Sequence, residues 1–584
     1  MVNFANNVKQ VAFVDVLGLL IAFGVVLSSS AVEVNTNPSR YRKDLSSLKP
    51  GDTLNLAPGK YSRLTVNGLN GNPTAWISIK GPSSGPPAIV TGESGHNTVE
   101  IVNSSFVVIE NLRINSVGIE DAFGISAQGG TANHTHHIRI EGNVLVGLSA
   151  NQQTVGISTK TPTWGWIIRN NQISGAGTGI YLGNSDGSQP FVNGLIENNL
   201  IEDTIGYNME IKDQISIPAV PGMPTGPTST IIRNNVFIKD DQPSPDGDRP
   251  NVLVGAFPST GIGSHNLYEI YANLFVHNHR EALFQGSGRI SLHDNIFVDG
   301  PPNYAAVVLR RHNFPLRVAY VYNNTVYTAG QGIHFGTTAL EADAVVGNLV
   351  FGSAPISGTI SRSSDNVAAS LDNASSYVNS PSFELGAMDF YPRAGKCTGP
   401  AINLHRFDGD TAFDRDFNGF AKTAAKGAVV FRGAYAGEGT NPGWRLQSAI
   451  KPSTAESLAG HAQTTTVSQG LIESATGFAK RGLDSCAFVH RRRSNHVELG
   501  NTTRRTAWTT AAPCFAYVSR VCMDGCFRGR HNSNAASLLL RKPTARAQPS
   551  AAKRCNCASV ARTSGSAVAF AGRSAAHVGG ASAL

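Results

Sequence analysis

One lysine in this chain stands where a base could work. Lys212 lies in the stretch YNMEIKD, flanked by Glu210 and Asp213. A lysine acts as a base only when burial or neighbouring positive charge lowers its pKa; paired with Glu210 it would be an ordinary solvated strand lysine. Positive partners occur at Arg310, in the run Arg310-Arg311-His312, and at Arg280, in HNHREALFQ beside His277, His279 and Glu281. Asp240, Asp241, Asp246 and Asp248 crowd the stretch KDDQPSPDGDRP. Hard oxygen ligands at that density suit calcium, with Asp213 and Glu210 as further donors; the competing reading is a solvated acidic turn, and the spacing is not that of an EF-hand. A base, fixed cations and a hard-cation site are what abstraction of a proton beside a carboxylate requires.

These residues are far apart in the chain, so a repeating scaffold must bring them together. Nine times between residues 107 and 352 the sequence gives a short apolar run, an Asn or Asn-Asn, and a second apolar run, as in WIIRNNQIS, GLIENNLIE and TIIRNNVFI. Aligned on Asn111, Asn143, Asn171, Asn199, Asn235, Asn273, Asn295, Asn324 and Asn348, the steps are 32, 28, 28, 36, 38, 22, 29 and 24 residues. Each apolar half is too short for a helix and rich in β-branched and aromatic residues, so it reads as a strand. The recurring Asn is expected where the chain bends through a left-handed conformation, with its side chain stacking into a ladder. Repeats of this kind form a solenoid. A leucine-rich repeat is the competitor, but it needs a longer leucine consensus and usually a helix.

A third apolar strand follows a variable loop in each unit: FGISAQ, VGISTK, TGIYLGN, YNMEIKD, NVLVGAF, EALFQGS, VVLRRHN and QGIHFGT. The sequence therefore predicts an all-β fold, a right-handed single-stranded parallel β-helix with three strands per coil. Strand alternation turns Ser126, Gln128, Ser158, Lys160, Tyr181, Glu210, Lys212, Gln285, Arg310 and His334 outward. Stacking makes that set a groove along the axis. Lys160, Tyr181, Glu210, His279, Gln285, His312 and His334 are the expected substrate contacts.

Composition fits this organisation. Gly 61 and a charged fraction of only 15% suit a turn-rich β chain. The net charge of +8 misleads, because the segment from Arg445 onward holds 19 Lys+Arg against 5 Asp+Glu and so leaves −6 for residues 1–444. A nucleic-acid partner inferred from the overall charge would be an artefact of adding two unlike regions. Six of the seven cysteines also lie after residue 450, without zinc-site spacing.

The expected domains are 1–31, 32–388, 389–449 and 450–584. The first holds VAFVDVLGLLIAFGVVL followed by Ser29 and Ala31, which reads as a signal peptide for a secreted, periplasmic or cell-surface protein, or as an uncleaved anchor. The second is the solenoid, and the third is expected to close it, since an open end exposes unpaired strand edges. The last has no apolar period of 2 or 3.6 and is expected to be disordered, the product of a shifted reading frame, or a basic surface-binding tail.

The stretches PGDTLNLAPGKY, PTAWISIKGP, IVTGES and VVIENLRI resemble the pectate-lyase-like parallel β-helix proteins, and most closely the alginate lyase and chondroitinase B group, over about residues 45–350. That resemblance implies β-elimination on an acidic uronate polysaccharide, a Lys base, a nearby Arg and calcium at the substrate carboxylate. Lys212 then occupies the base position. The following coil should carry an Arg-His pair but reads NVLVGAF; Arg310 or Arg280 is expected to neutralise charge instead, with Arg249 and Arg233 as loop alternatives. The expected catalytic set is therefore Lys212, Arg280 and Arg310, with Asp213, Asp240, Asp241, Asp246 and Asp248 for calcium. A monomer acting on an acidic polysaccharide is expected, without nucleic acid and without membrane contact beyond an N-terminal anchor. A non-catalytic carbohydrate-binding protein and a glycoside hydrolase using Glu210 or Asp213 are the alternatives.

Overall fold

A computed structural model describes residues 30–452, apart from 279, 302–303 and 423–428. The expectations for His279, for the N-terminal apolar run and for the region from 453 onward lie outside the described residues. Within them the chain winds into three long sheets whose neighbouring strands are all parallel. The first sheet runs from Glu33–Thr36 to Ser363–Ser364, the second from Gly59–Tyr61 to Val367–Ala369, and the third from Leu64–Asn67 to Ala354–Gly358. Successive coils give a strand to each sheet, and two of them add a second short strand to the first sheet, at Thr163–Trp164 and Phe191–Val192. This is a parallel β-helix with three strands per coil.

Alternation fills the interior. The second sheet stacks Ile173, Ile201, Phe237, Phe275, Phe297 and Val326 in one register column. All six are fully buried, and the rings of Phe237, Phe275 and Phe297 lie 5.1 and 4.5 Å apart. At the other end of the molecule the helix Tyr41–Ser46 adds Tyr41 and Leu45 to the same core as the first coils.

The corner between the first and second sheets holds an asparagine ladder. From Asn143 through Asn171, Asn199, Asn235, Asn273, Asn295 and Asn324 to Asn348, each backbone N–H and side-chain amide donates to the Oδ1 of the next, and Asn348 does so to Asn366. The left-handed residue is the one before each ladder Asn, as at Asn170, Asn198, Asn234 and Asn323. The sequence alignment on Asn111 is thus displaced by one: Asn111 itself has φ 57°, and it is the N–H of Leu112 that donates to Asn143. Two jobs fall on two adjacent residues, because a ladder side chain must point inward while the bend needs a residue that tolerates positive φ.

The segment after the last coil lies along the flank of the solenoid. Outward-facing Leu200, Val236, Leu274, Ile296 and Leu349 of the second sheet share one buried cluster with Phe390, Phe417, Tyr435 and Leu446. Polar pins hold the segment at the corner: Lys422 Nζ lies 2.6 Å from Asp294, and Lys451 Nζ donates to Asn234, Ala272 and Phe417. In the early coils the same outward column reads Lys60, Ile89, Arg113, Val144 and Gln172, and it becomes uniformly apolar from Leu200 to Ile296, where the segment covers it.

Candidate active site

The third sheet presents the outward strip read from the sequence. One register column reads Ser126, Ser158, Tyr181, Glu210, Leu253, Gln285, Val308 and His334. Just past the strand ends a second column forms as Lys160 N–H bonds to Ala127, Lys212 to Leu182, Gly255 to Ile211, Ser287 to Val254 and Arg310 to Gly286. Lys160, Lys212 and Arg310 therefore stand on one strip. At the usual strand spacing of about 4.8 Å, Arg310 is three steps, roughly 15 Å, beyond Lys212.

The chemistry concentrates around Tyr181. Lys160 Nζ sits 3.6 Å from the centre of its ring and Lys212 Nζ sits 5.5 Å from it. Gly183, with φ +94°, occupies the strip between the two lysines, where an added Cβ would come within 3.3 Å of Lys212 Cβ. Its lack of a side chain lets both ammonium groups lean toward one ring. On the next strand Glu210, only 2% exposed, accepts a 2.8 Å hydrogen bond from Lys212. Tyr207 completes the cluster: burial raises its phenol, the Glu210 charge raises it further, and the Arg249 guanidinium carbon lies 5.7 Å from its ring centre.

The two lysines differ in electrostatics. Burial lowers Lys160 to about 8, against the opposing pull of the Glu210 charge and with a further push from Lys212. Among the described residues its ammonium has no hydrogen-bond or ion-pair partner, so the ring face is all that receives it. For Lys212, burial alone would lower the pKa, but the Glu210 charge and hydrogen bond hold it above the ordinary lysine value. The Glu210 carboxyl is pushed up by burial and held down by Lys212. The salt bridge is the state consistent with the 2.8 Å contact and with Lys212 keeping 23% of its side chain in water. The Glu210 contact thus favours the charged form of Lys212, because a proton shared with a buried carboxylate is the harder one to remove.

The structure separates the remaining expected residues. Gln285 donates to Glu281 at 2.8 Å and receives Arg310 at 3.5 Å, so these form a second polar group down the groove. His312 lines a small cavity beside Arg310 and Gln285. His334 pairs with Ser357 at 2.9 Å. Arg280 donates its backbone N–H to Asn278, while its Nε is buried without a partner among the described residues. Arg233 is on the first sheet, bound to Glu197 at 2.7 Å. The site that sequence reasoning missed is the pairing of Lys160 with Tyr181 and the inclusion of Tyr207. Reading the third strands as stacked columns, with Gly183 between two lysines, is the signal that would have found it.

The carboxylates expected to hold calcium do not converge. Asp213 uses one oxygen on the Ala256 N–H at 2.7 Å and the other on Asn313 at 3.0 Å. Asp240 closes its own turn on the Gln242 N–H, Asp241 lies 2.7 Å from His277, and Asp246 accepts from Gln153. The backbone carbonyls of Asp246 and Asp248 accept from Arg249. Among the described residues no group of three His, Cys, Asp or Glu is placed to hold a metal ion. This donor set does not fit calcium, and no chemical step is assigned to it.

Comparison with known proteins adds the following. No family model and no curated protein matches the chain. Among solved structures it is similar to the PL6-family alginate lyase AlyGC, at 15% identity over 58% of this chain and 51% of that one, with a TM-score of 0.36. The neighbours named here are polysaccharide lyases. A PL6-family polysaccharide lyase from Pseudopedobacter saltans gives 11% identity over 58% of this chain and 93% of that one, TM-score 0.37, and pectate lyase Pel9A gives 10% over 73% and 97%, TM-score 0.36. This chain spans about half the length of AlyGC. Activity does not follow from such likeness, because one scaffold carries many chemistries.

Proposed function

We propose that this protein is a polysaccharide lyase that cleaves an acidic uronate polysaccharide by β-elimination, with the substrate lying along the outer strip of the third sheet. The observation that carries this reading is the Lys160–Tyr181–Lys212 arrangement. β-Elimination needs a base beside the carbon α to the carboxylate and a cation on the carboxylate itself. Lys160, near 8 and without an ion-pair partner among the described residues, is the base. At pH 7 about one-tenth of it is free amine, a usable fraction for a positioned base. Lys212, kept charged by Glu210, meets the carboxylate, and Arg249 adds positive charge on the far side of Tyr207. Arg310 is too far along the strip to neutralise the same carboxylate and serves a sugar several rings away.

The test is ultraviolet detection of unsaturated uronate product from alginate, polygalacturonate and glycosaminoglycans. A lyase gives new absorbance and loses it in Lys160→Ala. Reducing ends without absorbance would mark a hydrolase, and gel retardation without any product would mark a binding protein.

A further inference from the structure

Elimination also requires a proton for the departing glycosidic oxygen, and we infer that the hydroxyl of Tyr181 delivers it. This rests on the lyase reading above. Three observations converge on Tyr181. Its ring is the surface on which Lys160 lies, at 3.6 Å, so the hydroxyl and the base share one face of the groove. Its neighbour in the outward column is Glu210, whose carboxylate is committed to Lys212. That commitment removes Glu210 as a free donor. Finally, burial raises the Tyr181 phenol while Lys212 and Ser185 act on it in the opposite direction, so the hydroxyl keeps its proton at neutral pH beside a cation that can stabilise the phenolate.

The step balances without any co-reactant. The Lys160 amine takes the proton from the carbon α to the carboxylate, and the C–H electron pair becomes the new C=C bond. The adjacent C–O bond breaks with its electron pair on oxygen, and the Tyr181 proton moves to that oxygen. Lys212 faces the phenolate until solvent restores its proton, and the Lys160 ammonium returns its own proton to solvent.

Tyr181→Phe isolates the hydroxyl, since the ring under Lys160 remains. On polygalacturonate or alginate, whichever the wild type cleaves, kcat should fall about 100-fold or more, with KM within about 3-fold and an unchanged thermal midpoint. On a uronate whose C4 oxygen carries a nitrophenyl group, which departs without a proton, the same variant should lose less than about 5-fold. A role in merely holding Lys160 would cost the same on both substrates. Tyr181→Phe within about 5-fold of wild type on the polymer, or equal losses on both substrates, overturns the assignment. Wild-type protein that makes no unsaturated product from any polyuronate overturns the lyase reading and this inference with it.

Discussion

Cutting the asparagine ladder at its middle tests how the solenoid is held. In Asn235→Ala four hydrogen bonds go: two from Asn199 to Asn235 Oδ1, and those from Asn235 Nδ2 to Asn273 Oδ1 and to the Ile196 carbonyl. Asn273 Oδ1 keeps the Asn235 backbone N–H, and Asn199 Nδ2 keeps the Ile168 carbonyl. The Asn199 N–H is left without a partner at a fully buried position, whereas the Ile196 carbonyl keeps the ladder bond that the parallel pairing of Glu197 with Arg233 gives it. A buried orphaned group costs about 1–3 kcal/mol, so the variant should lose roughly 3 kcal/mol, more than any surface change. Asn366→Ala at the part-exposed end also strands an Asn348 N–H, but water can replace the lost partner there, and about 1 kcal/mol is expected. Because solenoid stability is largely a nearest-neighbour sum, the loss should be local. Hydrogen exchange at the amides of residues 199–201 and 273–275, alongside urea unfolding, reads it. Asn235→Ala within about 0.5 kcal/mol of wild type, or no weaker than Asn366→Ala, would refute the ladder as a principal support.

Two further outcomes follow from the same geometry. Gly255→Arg, which installs the arginine that the family resemblance implies, should destabilise the fold by about 3 kcal/mol without raising activity. An added Cβ there comes within 2.4 Å of the Asp213 backbone nitrogen, and a thermal midpoint equal to wild type would contradict this. Asp299 is buried, its carboxylate accepting one hydrogen bond among the described residues, from the Asn278 N–H, and burial raises its carboxyl to about 8. Its folded form binds the proton more tightly than the unfolded chain, so stability falls as pH rises between about 4 and 8. Asp299→Asn should remove that slope, with its thermal advantage over wild type growing from pH 4 to pH 8; parallel curves would exclude the effect.

The fold was legible because its determinants are local and repeated. Each Asn-Asn doublet announces a bend followed by a ladder residue, and the short apolar runs on either side leave no room for a helix. The expectation that one Asn both bends the chain and joins the ladder fails: at the ladder positions the bend falls on the residue before, and Asn111 is a bend residue followed by Leu112 in the ladder position. The flanking segment was only half legible: outward Leu200, Val236 and Leu274 are apolar on a face that a bare solenoid would expose to water, which announces a cover without saying what supplies it. The site was harder to read, because the character of a lysine depends on neighbours from other coils. Lys212 and Lys160 look alike in sequence; a buried carboxylate two residues away fixes one as a cation, and an aromatic ring from the next coil receives the other. The aspartates of the 240–248 loop look like metal ligands until Asp240 is seen to bond Gln242, Asp241 to meet His277 and Asp246 to accept from Gln153, with no three of them converging among the described residues.

The pH dependence of kcat/KM on a polyuronate, followed by ultraviolet absorbance, tests the proposed division of labour between the lysines most directly. With Lys160 acting as the free amine, activity should rise with pH and level off above about 8. Lys160→Ala should abolish the product, and Lys212→Arg should retain part of the activity with the same limb. A limb set by Lys212, abolished product in Lys212→Arg and near-normal activity in Lys160→Ala would contradict the account.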